Sequence, residues 1–190
     1  MSLKHILLGI LREPQSGYDI KNEFNRSLKN FWNANLSQIY PELKKLETNG
    51  LLRSKQVESA SGPNRRVYRR TAKGNRELKA WLQKGPSVGE ERIGYLAQVY
   101  FLSELDSDAE RIEFMKELRD HMAHWLDYLE SAEKGWSNDD PRYPDALPDE
   151  FFYAQFTLDL GIRRVRATLE WCNDSIARIE HRVRDAARSA

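Results

Sequence analysis

The sequence predicts a mainly α-helical protein with two domains, residues 1–85 and 86–190. Over most of the chain, apolar residues recur at steps of three and four, which is the period of an amphipathic helix. Between residues 52 and 71 the period changes to two, as in short β-strands. The charge is also divided, because the first domain has 17 Lys and Arg against 7 Asp and Glu, whereas the second has 13 against 22. The basic first domain predicts a polyanionic partner, which the acidic second domain would not approach.

Composition and cysteine content exclude several classes of protein. The 40% hydrophobic and 31% charged content is typical of a globular protein rather than a disordered chain. The longest apolar runs are far shorter than the ~20 residues of a membrane-spanning helix, and the N-terminus lacks a signal-peptide cleavage pattern, so we expect a cytoplasmic protein with no membrane partner. Cys172 is the only cysteine, which rules out an internal disulfide. We expect a buried thiol there rather than a redox sensor.

Two short helices are predicted in the first 30 residues. The apolar face of the first consists of Leu3, Ile6, Leu7, Ile10 and Leu11. This helix ends at Glu13-Pro14, because the residue before a proline is driven out of the α region. Ser16 can cap the second helix, with Asp19 three positions later completing a capping box. The helical period then continues to about Lys29.

A third helix is predicted between Asn35 and Gly50. Its core face consists of Leu36, Ile39, Leu43 and Leu46, and its polar face consists of Ser37, Gln38, Pro41, Lys44 and Lys45. Asn35 or Ser37 can cap its start, and Asn49-Gly50 ends it because glycine tolerates positive φ. On these residues alone, the helix is either an ordinary amphipathic core helix or one whose polar face binds a partner.

Residues 52–71 predict a β-hairpin. Leu52–Val57 and Arg65–Thr71 alternate as strands do, and the intervening Glu58–Asn64 consists of turn-forming residues. Basic residues flank the hairpin tip, namely Lys55, Arg65, Arg66, Arg69 and Arg70. Thr71 then caps a fourth helix, Ala72–Gln83, whose inward-facing residues are predicted to be Leu78, Trp81 and Leu82.

The order of three helices, a hairpin and a fourth helix predicts a winged helix-turn-helix. A helix fits the DNA major groove and presents polar side chains to base edges, while arginines on a wing neutralise phosphates or enter the minor groove. Winged helices also serve as protein-binding modules. A dimeric protein-interaction module without DNA binding is therefore the alternative function.

Three stretches carry a more specific resemblance. They read SGYDIKNEF, FWNANLSQIYPELKKLETNGLL and RRVYRRTAKG, and together they resemble the DNA-binding domain of PadR-type transcriptional regulators over residues 3–84. The resemblance implies a dimeric bacterial repressor or, less often, an activator, whose third helix enters the major groove. The DNA-facing residues that it implies are Ser37, Gln38, Tyr40, Pro41, Lys44, Arg65 and Arg66. Tyr40 could instead be a packing residue, and Arg70 stands where an apolar residue is expected before the capping Thr71.

The second domain is predicted to be helical throughout. A linker at residues 85–89 precedes helices over Glu90–Ser103 and Asp106–Lys134. Trp136–Pro148 contains three prolines and three aspartates and is predicted to be a loop. The last helix is predicted to start after Pro148 and to end near Arg188. This layout resembles, without a sharp motif, the C-terminal domain of longer PadR-type regulators similar to virulence-gene activators.

The last helix has the repeat of a coiled-coil seam. Its apolar residues recur at alternating steps of four and three, and they are Leu158, Ile162, Val165, Leu169, Cys172, Ile176, Ile179 and Val183. At ~1.5 Å per residue the helix is about 60 Å long, more than one small domain can cover. We expect the preceding helix to cover part of this seam and a second protomer the rest, which predicts a homodimer. A two-fold protein also suits a pseudo-palindromic operator.

Aromatic residues suggest an effector site, whereas signs of catalysis are weak. The candidate pocket residues are Trp32, Tyr95, Tyr100, Trp125 and Tyr128, with core packing as the alternative. His121 and His124 have a spacing that could support a metal, but without a third ligand we expect ordinary surface or packing histidines. We expect no cofactor, no metal and no enzymatic activity. The sequence thus predicts a DNA-binding repressor that a small aromatic effector releases.

Overall fold

The computed structural model describes residues 3–29, 31–32, 34–57, 65–89, 91 and 93–189. The chain forms two compact units, Met1–Glu90 and Glu91–Ala190, and each is described by itself. The predicted hairpin tip at residues 58–64 lies outside the described residues. Within the described part of the chain, no helix is both long and apolar enough to cross a membrane.

In its described residues, the first unit contains four α-helices and three strands. The helices are α1 (Leu3–Ile10), α2 (Gly17–Glu23), α3 (Leu36–Thr48) and α4 (Ala72–Gln83), and the strands are β1 (Gln15–Ser16), β2 (Leu52–Val57) and β3 (Arg65–Arg70). A π-helical turn, Phe24–Leu28, extends α2. The core consists of Leu7, Leu8, Leu11, Ile20, Phe24, Ala34, Ile39, Leu43, Leu46, Leu51, Leu52 and Tyr68. The predicted helices and hairpin are confirmed, and the core anchors α3 through one face.

The sheet has the order β1-β3-β2, with both pairs antiparallel. The sequence pattern does not reveal β1, which contributes only two residues and pairs Ser16 with Val67. Arg70 belongs to β3 despite its charge, because its Nη1 donates to the backbone oxygen of Leu8 at 2.6 Å. Burial lowers the pKa of Arg70, with a smaller effect from Arg12. The hairpin register is regular and pairs Leu52 with Arg70.

Capping residues fix where the helices of the first unit begin. Ser16 and Asp19 form the predicted capping box of α2, and Asn35 caps α3. Gly50 follows α3 with a φ of 69°, a left-handed conformation that glycine adopts without steric cost. Leu36 and Leu82, which were predicted to face inward, are 40% and 62% exposed, so both predictions are wrong. Each lies near one end of its helix, where the core covers less of the apolar face.

The second unit consists of α5 (Gly94–Tyr100), α6 (Asp108–Asp139) and α7 (Asp149–Ser189), with a short 3-10 turn at Leu102–Glu104. Helix α5 is shorter than the predicted Glu90–Ser103. The Arg111 guanidinium donates hydrogen bonds to backbone carbonyl oxygens of the turn that follows α5. Helix α6 starts two residues late because Ser107 and Glu110 form a capping box. It also includes Trp136, which was predicted to lie in a loop.

Helices α6 and α7 pack antiparallel. One cluster joins Met115 and Leu118 of α6 to Cys172 and Ile176 of α7, and a second joins Leu129 to Ile162 and Val165. Residue numbers rise along α6 as they fall along α7, which defines the antiparallel arrangement. The apolar repeat of α7 therefore builds the core of the second unit against α6 of the same chain.

Candidate nucleic-acid interface

The face of α3 that turns away from the core is exposed. Ile39, Leu43 and Leu46 are buried, and they hold the helix in place through its opposite face. The exposed face includes every residue predicted on this helix to contact DNA, namely Ser37, Gln38, Tyr40, Pro41 and Lys44. The structure thus brings these five side chains together on one accessible surface of a helix that the core fixes.

Some of these polar side chains already form hydrogen bonds within the first turn of α3. The backbone N–H of Asn35 donates to Gln38 Oε1 at 3.1 Å, and the N–H of Gln38 donates to Asn35 Oδ1 at 3.2 Å. Ser37 Oγ also donates to Asn35 Oδ1, at 2.5 Å. The first two bonds satisfy backbone N–H groups that a helix start leaves unpaired. They fix the Gln38 carbonyl in the cap, so the amide nitrogen of Gln38 is the group directed to other partners.

Tyr40 is both partly exposed and packed against the preceding helix. Its side chain is 46% exposed on the outer face of α3. Its ring also lies against Gly17 at the start of α2, where an added Cβ would come within 2.5 Å of Tyr40 Cε1. Tyr40 therefore connects the first and second helices of the helix-turn-helix motif while its other side remains accessible.

The two faces of the hairpin differ in chemistry. Cross-strand partners share a face of the sheet, so the pairs Leu52–Arg70, Ser54–Tyr68 and Gln56–Arg66 lie on one side. Leu52 and Tyr68 are buried, which identifies this as the inner face. The outer face carries four exposed cations, Arg53, Lys55, Arg65 and Arg69. Among the described residues these cations form no ion pair, although Arg65 is close enough to Asp19 to contribute to lowering the pKa of that carboxyl, after the hydrogen bonds from Ser16.

Arg66 lies on the inner face and is already paired. Its Nη2 donates to Glu47 Oε2 at 2.6 Å, and its Nε donates to Ser54 Oγ at 2.7 Å. Ser54 Oγ in turn donates to Glu47 Oε1 at 2.6 Å. The Ser54 and Arg66 hydrogen bonds hold the pKa of Glu47 below its usual value, and Glu47 raises the pKa of Arg66. Arg65 and Arg66, which were predicted to act alike, therefore have different surroundings.

Seven of the eight predicted dimer-seam residues pack in the clusters between α6 and α7. Ile162, Val165, Cys172 and Ile176 are buried, and Leu158, Leu169 and Ile179 pack partly buried beside them. Val183 is half-buried near the end of α7. Exposed apolar residues on α7 lie elsewhere, at Phe151, Tyr153, Phe156 and Leu160. Burial also raises the pKa of the Cys172 thiol, as expected for a packing cysteine.

The aromatic residues of the candidate effector pocket have separate surroundings. Trp32 packs against the core of the first unit. In the second unit, Tyr95 packs beside Met115, Trp125 packs beside Leu129 and stacks on Tyr128, and Tyr100 is 81% exposed. The ring nitrogens of His121 and His124 each contact a backbone oxygen of α6 at 2.7 Å. No group of three metal-ligating side chains occurs among the residues that the structure describes.

Sequence reasoning missed Glu47 and Ser54 as members of the interface. It named Lys55 and Arg69 among the basic residues of the hairpin but missed Arg53, and it did not assign these residues to one face of the sheet. The signal was present in the alternation of the strands, because residues separated by two share a face. Assigning the faces required the register of the hairpin, which the turn-forming residues between the two strands do not specify by themselves.

Together these features define a winged helix-turn-helix protein: a recognition helix with an exposed polar face, next to a hairpin with an outer face of cations. Residues 6–80 match the model for the transcriptional regulator PadR-like family, and residues 91–180 match that for the virulence activator alpha C-terminal domain. The negative transcriptional regulator PadR of Bacillus subtilis is 31% identical over 180 residues, covering 94% of this chain and 97% of that protein. The chain belongs to the PadR-like family of transcriptional regulators.

Solved structures of the Bacillus subtilis relative agree with this assignment. Its complex with operator DNA has a TM-score of 0.82 at 28% identity, covering 93% of this chain and 97% of that one. Its complex with p-coumaric acid has a TM-score of 0.73 at 28% identity, covering 94% and 95%.

Proposed function

We propose that this chain is a homodimeric, sequence-specific DNA-binding repressor of the cytoplasm, which a small aromatic effector releases from its operator. The first unit binds DNA and the second unit dimerises and responds to the effector. The observation that carries the proposal is the exposed polar face of α3, fixed by a buried opposite face and accompanied by a basic wing. It has no enzymatic role in this proposal.

The DNA-binding role follows from the chemistry of α3. Its outer face offers the Gln38 amide, the Ser37 hydroxyl and the Lys44 ammonium group along about two turns of helix. A major groove admits such a helix, and amide side chains make specific contacts with base edges. Lysine and arginine side chains supply the phosphate contacts that position a protein on the duplex. The Bacillus subtilis relative has been solved with operator DNA, which supports the same use of this fold.

Dimerisation suits this mode of DNA reading. Two copies of α3 related by a two-fold axis match the half-sites of a pseudo-palindromic operator, spaced by about one helical turn. Helix α7 has exposed aromatic and aliphatic residues that a second protomer could cover. Burying such residues at an interface is favourable, because apolar surface removed from water contributes about 25 cal/mol per Å².

Release by an effector is supported by the relative that binds p-coumaric acid. We propose a small aromatic acid of similar size as the effector class, with the aromatic residues predicted above as candidates for its contacts. A ligand shifts DNA affinity only by its differential binding to the DNA-competent and the incompetent state. The effector should therefore weaken DNA binding by the same factor by which DNA weakens effector binding.

The central experiment measures binding of the full chain to a duplex from the region upstream of its own gene. We expect log affinity to fall linearly with log salt concentration. Lys44→Ala should lower the slope by about 0.9, since each lysine that neutralises a phosphate adds that amount. Lys79→Ala is the matched control, since Lys79 is an exposed lysine on α4 rather than α3, and its slope should equal that of the wild type. Absence of salt-dependent binding by the wild-type protein would refute the proposed function.

A further inference from the structure

The position of Arg66 points to a role different from that of the other wing cations. It lies on the inner face of the hairpin, opposite Gln56 and two residues from the buried Tyr68. Its guanidinium carbon is 5.7 Å from the centroid of the Tyr68 ring, which restricts the side chain further. The side chain is directed to the C-terminal part of α3 rather than away from the protein, as its bond to Glu47 shows.

Three side chains close a ring of hydrogen bonds at this point. Glu47 belongs to the last turn of α3, Ser54 to β2 and Arg66 to β3. Each bonds the other two, with donor–acceptor distances of 2.6, 2.7 and 2.6 Å. The Glu47 carboxylate thus accepts one hydrogen bond from a hydroxyl on β2 and another from a guanidinium on β3. The ring connects the recognition helix to both strands of the wing.

We propose that Glu47, Ser54 and Arg66 form a wing lock, which fixes the hairpin relative to the recognition helix before DNA arrives. This inference rests on the proposed DNA-binding function and deepens it. Arg66 is a positioning residue in this arrangement, and the phosphate contacts of the wing belong to the outer face with Arg53, Lys55 and Arg69. Preorganisation raises affinity because no binding free energy is then needed to bring the wing into the binding-competent arrangement.

The lock is too exposed to act chiefly through stability. The side chain of Arg66 is 55% exposed and that of Glu47 is 27% exposed. Exposed ion pairs contribute little to folding free energy, because water and salt screen them. Variants of the lock should therefore fold normally, which allows their effects on DNA binding to be measured in intact protein.

The decisive variant is Glu47→Gln. A change that only removes a negative charge from the recognition helix should tighten binding to a polyanion or leave it unchanged. Loss of the lock should do the opposite: if the free wing then occupies the competent arrangement for about a tenth of the time, the Kd rises about tenfold. The slope of log affinity against log salt should stay that of the wild type, because every phosphate contact is retained.

Matched variants separate the two roles. Glu42→Gln removes the same charge from the same helix at a residue that forms no ion pair within the described part of the chain, and its affinity should be equal to that of the wild type or higher. Arg69→Gln on the outer face should lower the salt slope by about 0.9 and should add to Glu47→Gln. Arg66→Gln should have little further effect once Glu47 is replaced, because both changes break the same lock.

A measurement without DNA tests the lock independently. Exchange of the Arg66 Nε–H with solvent, followed by NMR on the full chain, should be slow in the wild type, where this group donates to Ser54 Oγ, and fast in Ser54→Ala. Equal exchange in the two proteins would overturn the lock even if DNA binding is normal. So would tighter DNA binding by Glu47→Gln, or additive effects of Arg66→Gln and Glu47→Gln. Wild-type protein with a protected Nε–H but no DNA affinity would instead refute the proposed function and, with it, the lock's role in DNA binding.

Discussion

The ring of Tyr40 lies on Gly17. A Cβ added at Gly17 would be only 2.5 Å from Tyr40 Cε1 and 2.7 Å from the phenol oxygen. Gly17 is buried at the first position of α2, and Tyr40 is in the second turn of α3. This contact sets how closely the first two helices of the helix-turn-helix motif approach each other. The recognition helix can therefore occupy its present position only because residue 17 has no side chain.

Gly17→Ala should therefore destabilise the first unit and displace Tyr40. Overpacking of a contact costs about 1–3 kcal/mol, and we expect the lower end of this range because the Tyr40 ring is 46% exposed and can move towards solvent. Thermal unfolding followed by circular dichroism measures the effect. Tyr40→Ala provides the control: in the Tyr40→Ala background, Gly17→Ala should cost little, so the two changes should be strongly non-additive. Additive costs would show that the contact is not the cause.

Gly74 is a second position where a side chain has no room. A Cβ at Gly74, in the first turn of α4, would overlap the backbone oxygen of Leu51. That oxygen accepts hydrogen bonds from the Thr71 backbone N–H at 3.0 Å and from Thr71 Oγ1 at 3.1 Å, so it cannot move freely. We expect Gly74→Ala to be destabilising by about 1–3 kcal/mol or more, in spite of the better helix propensity of alanine. Gly9→Ala is the control, because a Cβ there meets nothing within 4 Å.

The sequence predicted the first unit well where the signals are local. The bounds of β2 and α4 agree with the prediction because polar caps and turn residues mark them within a few positions. By contrast, β1 has only two residues, and it is a strand solely because β3 lies beside it. Such a strand depends on pairing between segments far apart in the chain, which no local pattern reveals.

The sequence predicted the types of residue that make up the candidate site, but it did not predict which of them have different roles. The exposed face of α3 follows from helical period alone. The difference between Arg65 and Arg66 depends on which face of the hairpin packs on the core, and this became clear only from the register with Leu52 and Tyr68. In the second unit, the repeat on α7 was identified correctly, but a repeat cannot specify which helix covers it. Helix α6 of the same chain covers most of it.

Gln38 offers a way to separate helix capping from base reading. Its Oε1 accepts the Asn35 N–H in the cap, which leaves the amide nitrogen as the donor for a base edge. Gln38→Glu should keep the cap, since a carboxylate accepts the same bond near the positive end of the helix. It should lose about 1–3 kcal/mol of discrimination at the base pair that the amide reads.

Binding to a randomised duplex library, compared between variants, measures this discrimination. Overall affinity should also fall, because the substitution adds a negative charge. Gln38→Ala is the companion variant, and it should lose both base preference and thermal stability. Retention of the wild-type base preference by Gln38→Glu would show that Gln38 does not read sequence.

The loop between α6 and α7 should contribute stability that depends on pH. Hydrogen bonds from the Arg142 side chain and then from its backbone N–H lower the pKa of Asp140 from 3.8 to about 2. Because this pKa is depressed in the folded state, the contribution is present above about pH 4 and is lost as the pH falls towards 2. An NMR titration of the Asp140 carboxyl carbon tests this, and Arg142→Gln should return its midpoint to the ordinary range. A wild-type midpoint near 3.8 would contradict the expectation.

The exposed apolar residues of α7 predict where the protomers meet. Tyr153, Phe156 and Leu160 follow helical spacing and are 63%, 52% and 56% exposed, so one partner surface could cover all three. Leu160→Asp should shift the protein from dimer to monomer, because burying an unpaired carboxylate is unfavourable. Light scattering after gel filtration, over a range of protein concentrations, measures the mass. Leu82→Asp is the matched control, because it makes the same change at a leucine of the first unit that is 62% exposed. The Leu82→Asp protein should remain dimeric. If Val183→Asp gives monomers while Leu160→Asp does not, the interface instead follows the seam that the sequence predicted.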